Sequence, residues 1–290
     1  MNTPARLGIF GLGLAVVFGA AMGTGRLTGP VGAESRPNAA HGGMEHGGAG
    51  HGGHESMLPD GLLVSDRGYS LVTVPAASGT FAFRITGPDG RPVTAFDTRH
   101  DKRMHLIVVR RDLSGFRHVH PTMDADGTWR VASPLSGPGT YRAFADFQPT
   151  GADPLTLGID ISVAGDARPR PLPAPATTAS VDGYTVTLAG TLLAGRSSRL
   201  DMTISRDGRP VTDLQPYLAA YGHLVALRQG DLAYLHVHPD GEPGDGRTEP
   251  GPTVTFYAEA PSVGAYRLYL DFQHHGTVHT AEFTAEAKEG

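Results

Sequence analysis

The chain contains no cysteine, so disulfides and thiolate-held metal centres are excluded. A blue-copper centre is excluded for the same reason. Any metal must rest on His, Met, Asp, Glu or backbone oxygen. Charge of neither sign dominates. The net charge is −5, without the basic face that a nucleic-acid binder requires. Long helical periodicity is missing. Missing too are a Ser nucleophile motif, a phosphate-cradling loop and a defensible carboxylate pair, so the chain reads as a non-enzyme. A hydrolase using a His-bound metal is a distant alternative. What the sequence does hold is 40 Gly, 23 Pro and 14 His. The glycines and prolines call for turns, and the histidines are clustered.

Residues 7–23, LGIFGLGLAVVFGAAMG, carry no charge and follow a short stretch with one Arg. About 17 apolar or small residues sit at the short edge of a membrane span. Residues 1–26 are therefore expected to be an apolar helix serving as a signal anchor, or else a cleaved signal peptide. Either reading places the rest of the chain outside the cytoplasm, membrane-tethered or secreted. Residues 27–58 follow as a Gly-rich tether containing His41, His46, His51 and His54, with Met44 and Met57. Glycine at this density forbids a stable helix or strand, and such His-rich tracts read as labile metal binders. His and Met without Cys suit copper better than calcium or magnesium.

From Gly68 the texture changes to short apolar runs separated by turn signals such as Gly87-Pro-Asp-Gly. Six or seven such strands within residues 59–165 predict an antiparallel β-sandwich. Residues 166–180 read as a Pro-rich linker, and the pattern then restarts over residues 181–287. Met104-HLIVVRRDLSGFRHVHP recurs as Gly222-HLVALRQGDLAYLHVHP. His105 corresponds to His223, His118 to His236 and His120 to His238; 223−105, 236−118 and 238−120 all give 118. The Gly139-Thr-Tyr141-Arg-Ala-Phe-Ala-Asp146 segment recurs as Gly264-Ala-Tyr266-Arg-Leu-Tyr-Leu-Asp271, at an offset of 266−141 = 125. The extra residues fall near a Gly/Pro/acid loop at 240–252. The fold class is therefore all-β, two tandem immunoglobulin-like or cupredoxin-like antiparallel β-sandwiches after an N-terminal apolar helix.

Alternation along a strand puts His118 and His120 on one face and Val119 on the other. The polar turn before them predicts a hairpin that brings His105 alongside, and the same holds for His223 with His236 and His238. Tyr141 and Tyr266, each two residues after a Gly, match a tyrosine corner. The strand that each begins is expected to neighbour the His105 or His223 strand. That makes Asp146 and Asp271 candidate ligands, or groups that orient a ligand imidazole. Imidazoles with a carboxylate suit copper first and zinc second. Met104 and Met123 flank the first copy and would favour Cu(I). His274, His275 and His279 lie only in the second copy, and His100 is assigned no role.

A competing expectation comes from Ile107 and Val109, which share the His105 face. That strand is apolar on both faces, so the two sandwiches would pack there and the histidines would line a joint interface. The histidines would then be structural, with Arg142–Asp146 and Arg267–Asp271 as outer-face pairs. The chain would then be an interaction module for an envelope protein rather than a metal binder.

The HLIVVRRDLSGFRHVHP and PGTYRAFADF segments and their second copies resemble exported bacterial proteins with YtkA-like or FixH-like immunoglobulin-type domains. The resemblance covers residues 68–285 loosely and implies fold and location more than chemistry. The His-rich leader is similar to the metal-binding tails of exported copper-handling proteins. The missing Cys separates the chain from cupredoxins. The expected ligand is a copper ion, or a zinc ion. The expected partners are the metal, the membrane through the N-terminal helix and an envelope protein, with no nucleic acid.

Overall fold

A computed structural model describes residues 58–290. The apolar segment and the tether histidines His41, His46, His51 and His54 lie outside the described residues. Among the described residues no helix is long and apolar enough to cross a membrane.

The first repeat consists of β1 (Ser65–Asp66), β2 (Tyr69–Thr73), β3 (Thr80–Thr86), β4 (Met104–Arg110), β5 (Arg117–Val119), β6 (Thr122–Met123), β7 (Thr128–Ala132), β8 (Gly139–Phe147) and β9 (Leu155–Val163). The strands form two antiparallel sheets, in the orders β1-β2-β3-β7-β6 and β5-β4-β8-β9. The second repeat consists of β10 (Thr178–Val181), β11 (Tyr184–Ala189), β12 (Ser197–Arg206), β13 (Arg209–Pro210), β14 (His223–Arg228), β15 (His236–Pro239), β16 (Thr253–Glu259), β17 (Gly264–His274) and β18 (Thr277–Ala287). Its sheets run β10-β11-β12-β16-β15, with β13 on β12, and β14-β17-β18. β10 begins at Thr178, inside the Pro-rich stretch, and closes the edge of the second sandwich.

Each sandwich has its own core. Phe83, Ile85, Leu106, Trp129, Tyr141 and Leu157 anchor the first. Val186, Met202, Phe256, Leu268, Phe272 and Phe283 anchor the second. The tyrosine corners form as expected. Tyr141 Oη donates to Ser136 O at 2.6 Å, and Tyr266 Oη donates to Ser262 O at 2.8 Å.

A third apolar cluster joins the repeats. Ile107, Val109, Leu113, Phe116 and Phe144 of the first pack against Val225, Leu227, Leu232 and Tyr269 of the second. This is the packing expected of a β4 strand that is apolar on both faces. Leu106 and Val108 enter the first core, while Ile107 and Val109 enter the junction. Phe116 stacks on Tyr269 with ring centroids 4.1 Å apart and planes 8° apart. The corresponding pair, Tyr234 and Phe144, meets at 5.6 Å. Because 234−116 = 118 and 269−144 = 125, these are the same two positions with the repeats exchanged, so the junction is close to self-complementary.

The chain enters the first sandwich through this junction. Asp60 O accepts from Tyr234 N at 3.0 Å, and Gly61 N donates to Thr156 O at 3.0 Å. Gly61 has φ +72, and a Cβ there would come within 2.6 Å of the Phe144 ring, so only glycine fits. Buried Arg142 closes over this strand, donating to Gly61 O at 2.6 Å and Leu62 O at 2.8 Å. The outer-face ion pairs differ from those expected. Arg142 pairs with Asp160 at 2.8 Å and Arg267 with Glu282 at 2.7 Å, which leaves Asp146 and Asp271 to face the histidines.

Candidate metal centre

The register of β4 and β5 assembles the site. Leu106 pairs with Val119 and Ile107 with His118, so the next pair outward brings His105 opposite His120. His105, His118 and His120 therefore share one face, the face turned toward the second repeat. Ring centroids lie 5.3 Å apart for His105–His118, 5.0 Å for His105–His120 and 4.9 Å for His118–His120. One nitrogen from each ring falls within 4.8 Å of the others. Bonds of about 2.0–2.1 Å at tetrahedral angles put imidazole centroids about 5 Å apart, so the spacing is that of a three-imidazole metal site.

Hydrogen bonds fix which nitrogens face inward. His105 Nε2 lies 3.0 Å from Arg99 O; a carbonyl only accepts, so Nε2 carries the proton and Nδ1 a lone pair. His118 Nδ1 lies 3.0 Å from Asp271 Oδ2, so the carboxylate accepts from Nδ1, and Nε2 carries a lone pair in the neutral ring. His105 Nδ1 and His118 Nε2 lie 3.1 Å apart, at hydrogen-bond distance. With both rings neutral the pair can share a metal ion; with His118 as the imidazolium beside Asp271, its Nε2–H donates to His105 Nδ1. His120 Nε2 is buried and has no hydrogen-bond partner among the described residues.

Burial opposes a proton on His105 and on His120. His105 is held down at about 3 by desolvation, then by neighbouring His118 and His120. His120 also lies at about 3, from burial first and then from His118 and Lys102. Unprotonated imidazoles are the form that binds metal.

The carboxylates stand outside the trio. Asp271, from β17, pairs in register with His223 of its own repeat. Its side chain instead crosses the junction to His118, and its other oxygen accepts from Thr280 Oγ1 at 2.6 Å. It orients the His118 imidazole and is not among the three grouped residues. Asp146 pairs in register with His105 but is not among the three grouped residues. It accepts a long bond from Thr156 Oγ1 at 3.4 Å and lies 4.0 Å from Arg99, with its carboxyl pushed up chiefly by burial. The flanking methionines turn away. Met104, which alternates away from the His face of β4, is buried in the first core, and Met123, on β6 of the other sheet, packs against it.

The second repeat does not repeat the arrangement. β15, which carries His236 and His238, pairs with β16 in the opposite sheet, with His236 across from Glu259 and His238 across from Tyr257. In the first repeat the corresponding His-Val segment pairs with β4. His238 is exposed, and the His236 side chain lies outside the described residues. His223 keeps its counterpart's anchoring: Nε2 donates to Tyr217 O at 3.0 Å and Leu218 O at 2.9 Å. Burial holds His223 at about 4.

Two residues assigned no role from the sequence belong to this region. His100 lies 5.4 Å from His223 and 6.1 Å from His105, ring to ring. The Tyr217 ring lies 6.3 Å from His120 and 6.0 Å from His223, and its phenol is pushed up to about 12, chiefly by burial. Both reach the site from turns whose place depends on docking of the repeats, and neither leaves a local sequence signal. A cavity of about 130 Å³ opens beside the trio, lined in part by Asp60, His100, His105, His118, Asp146 and His223. His274 and His279 lie elsewhere, tied to local partners. His274 bonds Tyr184 Oη at 2.7 Å and Asp213 at 3.0 Å, and His279 bonds Asp182 at 2.8 Å.

No curated protein matches the chain. Among solved structures, invasin, a bacterial integrin-binding protein, aligns at 11% identity and TM-score 0.23, over 80% of this chain and 38% of that one. The match thus spans well under two thirds of the invasin chain. A two-domain fibronectin type III segment of chicken tenascin aligns at 12% identity and TM-score 0.23, over 76% of this chain and 97% of that one. Domains 4 and 5 of the S-layer protein SbsC align at 11% identity and TM-score 0.22, over 74% and 84%. The family model described as a domain of unknown function, DUF8832, matches twice, over residues 65–164 and 179–289. The chain belongs to that family and carries two copies of its domain.

Proposed function

We propose that this protein binds a transition metal at His105, His118 and His120, copper first and zinc second. The observation that carries the reading is the convergence of one nitrogen from each of His105, His118 and His120 to within 4.8 Å of the others. The His105 and His118 rings are locked in place from behind, one by a carbonyl and one by a carboxylate, as ligand histidines are. Nitrogen-only coordination favours copper over zinc in the general affinity order. The metal, when bound, would supply a charge that satisfies all three buried nitrogens.

The reading extends to the whole chain as metal handling outside the cytoplasm, with the apolar N-terminus as tether or signal. The His-rich tract would capture ions and the folded site would hold or pass them.

The competing reading is a protein-interaction module whose histidines are structural. It draws on the apolar junction, in which His118 and Asp271 act as a cross-repeat brace. Metal analysis of the full chain with His41, His46, His51 and His54 replaced by Ala separates the two. A metal centre predicts tight copper or zinc binding that His118→Ala/His120→Ala abolishes. Equally negligible binding by the tail-silenced chain and that variant would leave only the structural reading.

A further inference from the structure

The cavity beside the trio holds a second imidazole pair that the three-histidine reading does not use. His100 comes from the first repeat and His223 from the second, and both line the cavity. Their ring centroids are 5.4 Å apart at 78°, against 4.9–5.3 Å within the trio. That is close to the separation of about 5 Å expected for two imidazoles on one metal.

His223 is prepared for this role as His105 is for its own. Its Nε2–H is spent on the Tyr217 and Leu218 carbonyls, so Nδ1 carries the lone pair. His100 sits at the tip of a tight turn, Arg99–Lys102, with φ +46 at His100 and +62 at Asp101. The second repeat builds the same turn from Tyr217 to Ala220, with φ +54 at Leu218 and +61 at Ala219. Leu218 occupies the position of His100, so the turn itself does not need a histidine. Asp60 and Asp146 also line the cavity and would offset a second positive charge.

We propose that His100 and His223 form a second, weaker metal position spanning the two repeats and adjoining the trio. It would take the same soft or borderline ion, with water in the cavity completing its coordination. Two adjacent positions of unequal affinity make the site a relay. An ion would enter at His100 and His223, then settle at His105, His118 and His120, or leave by the reverse path. This inference rests on the trio being a metal centre.

The test is a zinc titration of the full chain with the four tether histidines replaced by Ala, read against a chromophoric chelator. The expected result is two equivalents, the second bound more weakly. His100→Leu, which installs the residue found in the other repeat, is expected to remove the second equivalent and leave the affinity of the first within about 2-fold. His223→Gln should do the same. One equivalent in the parent, two retained in His100→Leu, or equal weakening of the first site in that variant would each overturn the relay. Failure to bind any zinc would overturn the trio reading with it. One tight equivalent lost in His118→Ala would uphold the trio and reject the relay alone.

Discussion

His118 Nδ1 and Asp271 Oδ2 meet at 3.0 Å across the junction of the two repeats, with side chains 5% and 4% exposed. The carboxylate that orients the His118 imidazole of the first sandwich is thus supplied by the second. Replacing such a partner lowers metal affinity about 10–100-fold. Asp271→Ala is expected to fall in that range by calorimetric titration of the tail-silenced chain. Asp271→Asn should retain part of the affinity, because its amide oxygen still accepts from Nδ1. Unchanged affinity in Asp271→Ala would mean that the contact does not serve the metal.

Docking of the repeats is expected to depend on the Phe116–Tyr269 stack. Truncating a buried Phe costs about 3–5 kcal/mol, and Phe116→Ala should lower chemical-denaturation stability by that order. Tyr269→Phe should cost only about 1 kcal/mol, the usual net worth of one hydrogen bond, here the 2.6 Å bond from Tyr269 Oη to Leu113 O. If both variants unfolded as the parent does, the junction would contribute nothing to folding.

The buried histidines give metal-free stability a definite pH slope. His105 and His120 lie at about 3 and His223 at about 4, while the same groups in the unfolded chain titrate near 6.5. Below pH ~6.5 the unfolded chain therefore binds more protons than the folded one, so stability rises with pH between ~4 and ~6.5 and levels off above. Urea unfolding of chelator-treated protein at pH 7.5 and 5 should show the loss at the lower pH. Metal opposes it, because it binds only the unprotonated imidazoles. A flat profile from pH 7.5 to 5 would contradict the burial of these groups.

Much of this arrangement was legible in the sequence. Period-two alternation gave the strands. The His-X-His spacing, with a hairpin before it, gave the trio on one face of β4 and β5. The Ile107 and Val109 side of β4 announced the packing of sandwich on sandwich. What was hidden depends on docking. Asp271 could be placed beside His223 by strand order, yet its side chain turns to His118, 153 residues away. His100 gave no signal because its turn works equally well with Leu218. Nor could two near-identical His-Val-His-Pro blocks reveal that one pairs with β4 and the other with β16. That choice follows from where each chain crosses between sheets. In the first repeat it crosses near Pro121, after the His-Val segment has paired, and in the second the histidine strand itself joins the far sheet.

The most direct measurement is X-ray absorption of the tail-silenced chain loaded with less than one equivalent of copper, compared with its His118→Ala/His120→Ala variant. The account predicts three imidazole nitrogens at about 2.0 Å in the parent and loss of that signature in the variant. A parent that takes up no copper, or a spectrum the two substitutions leave unchanged, would contradict it.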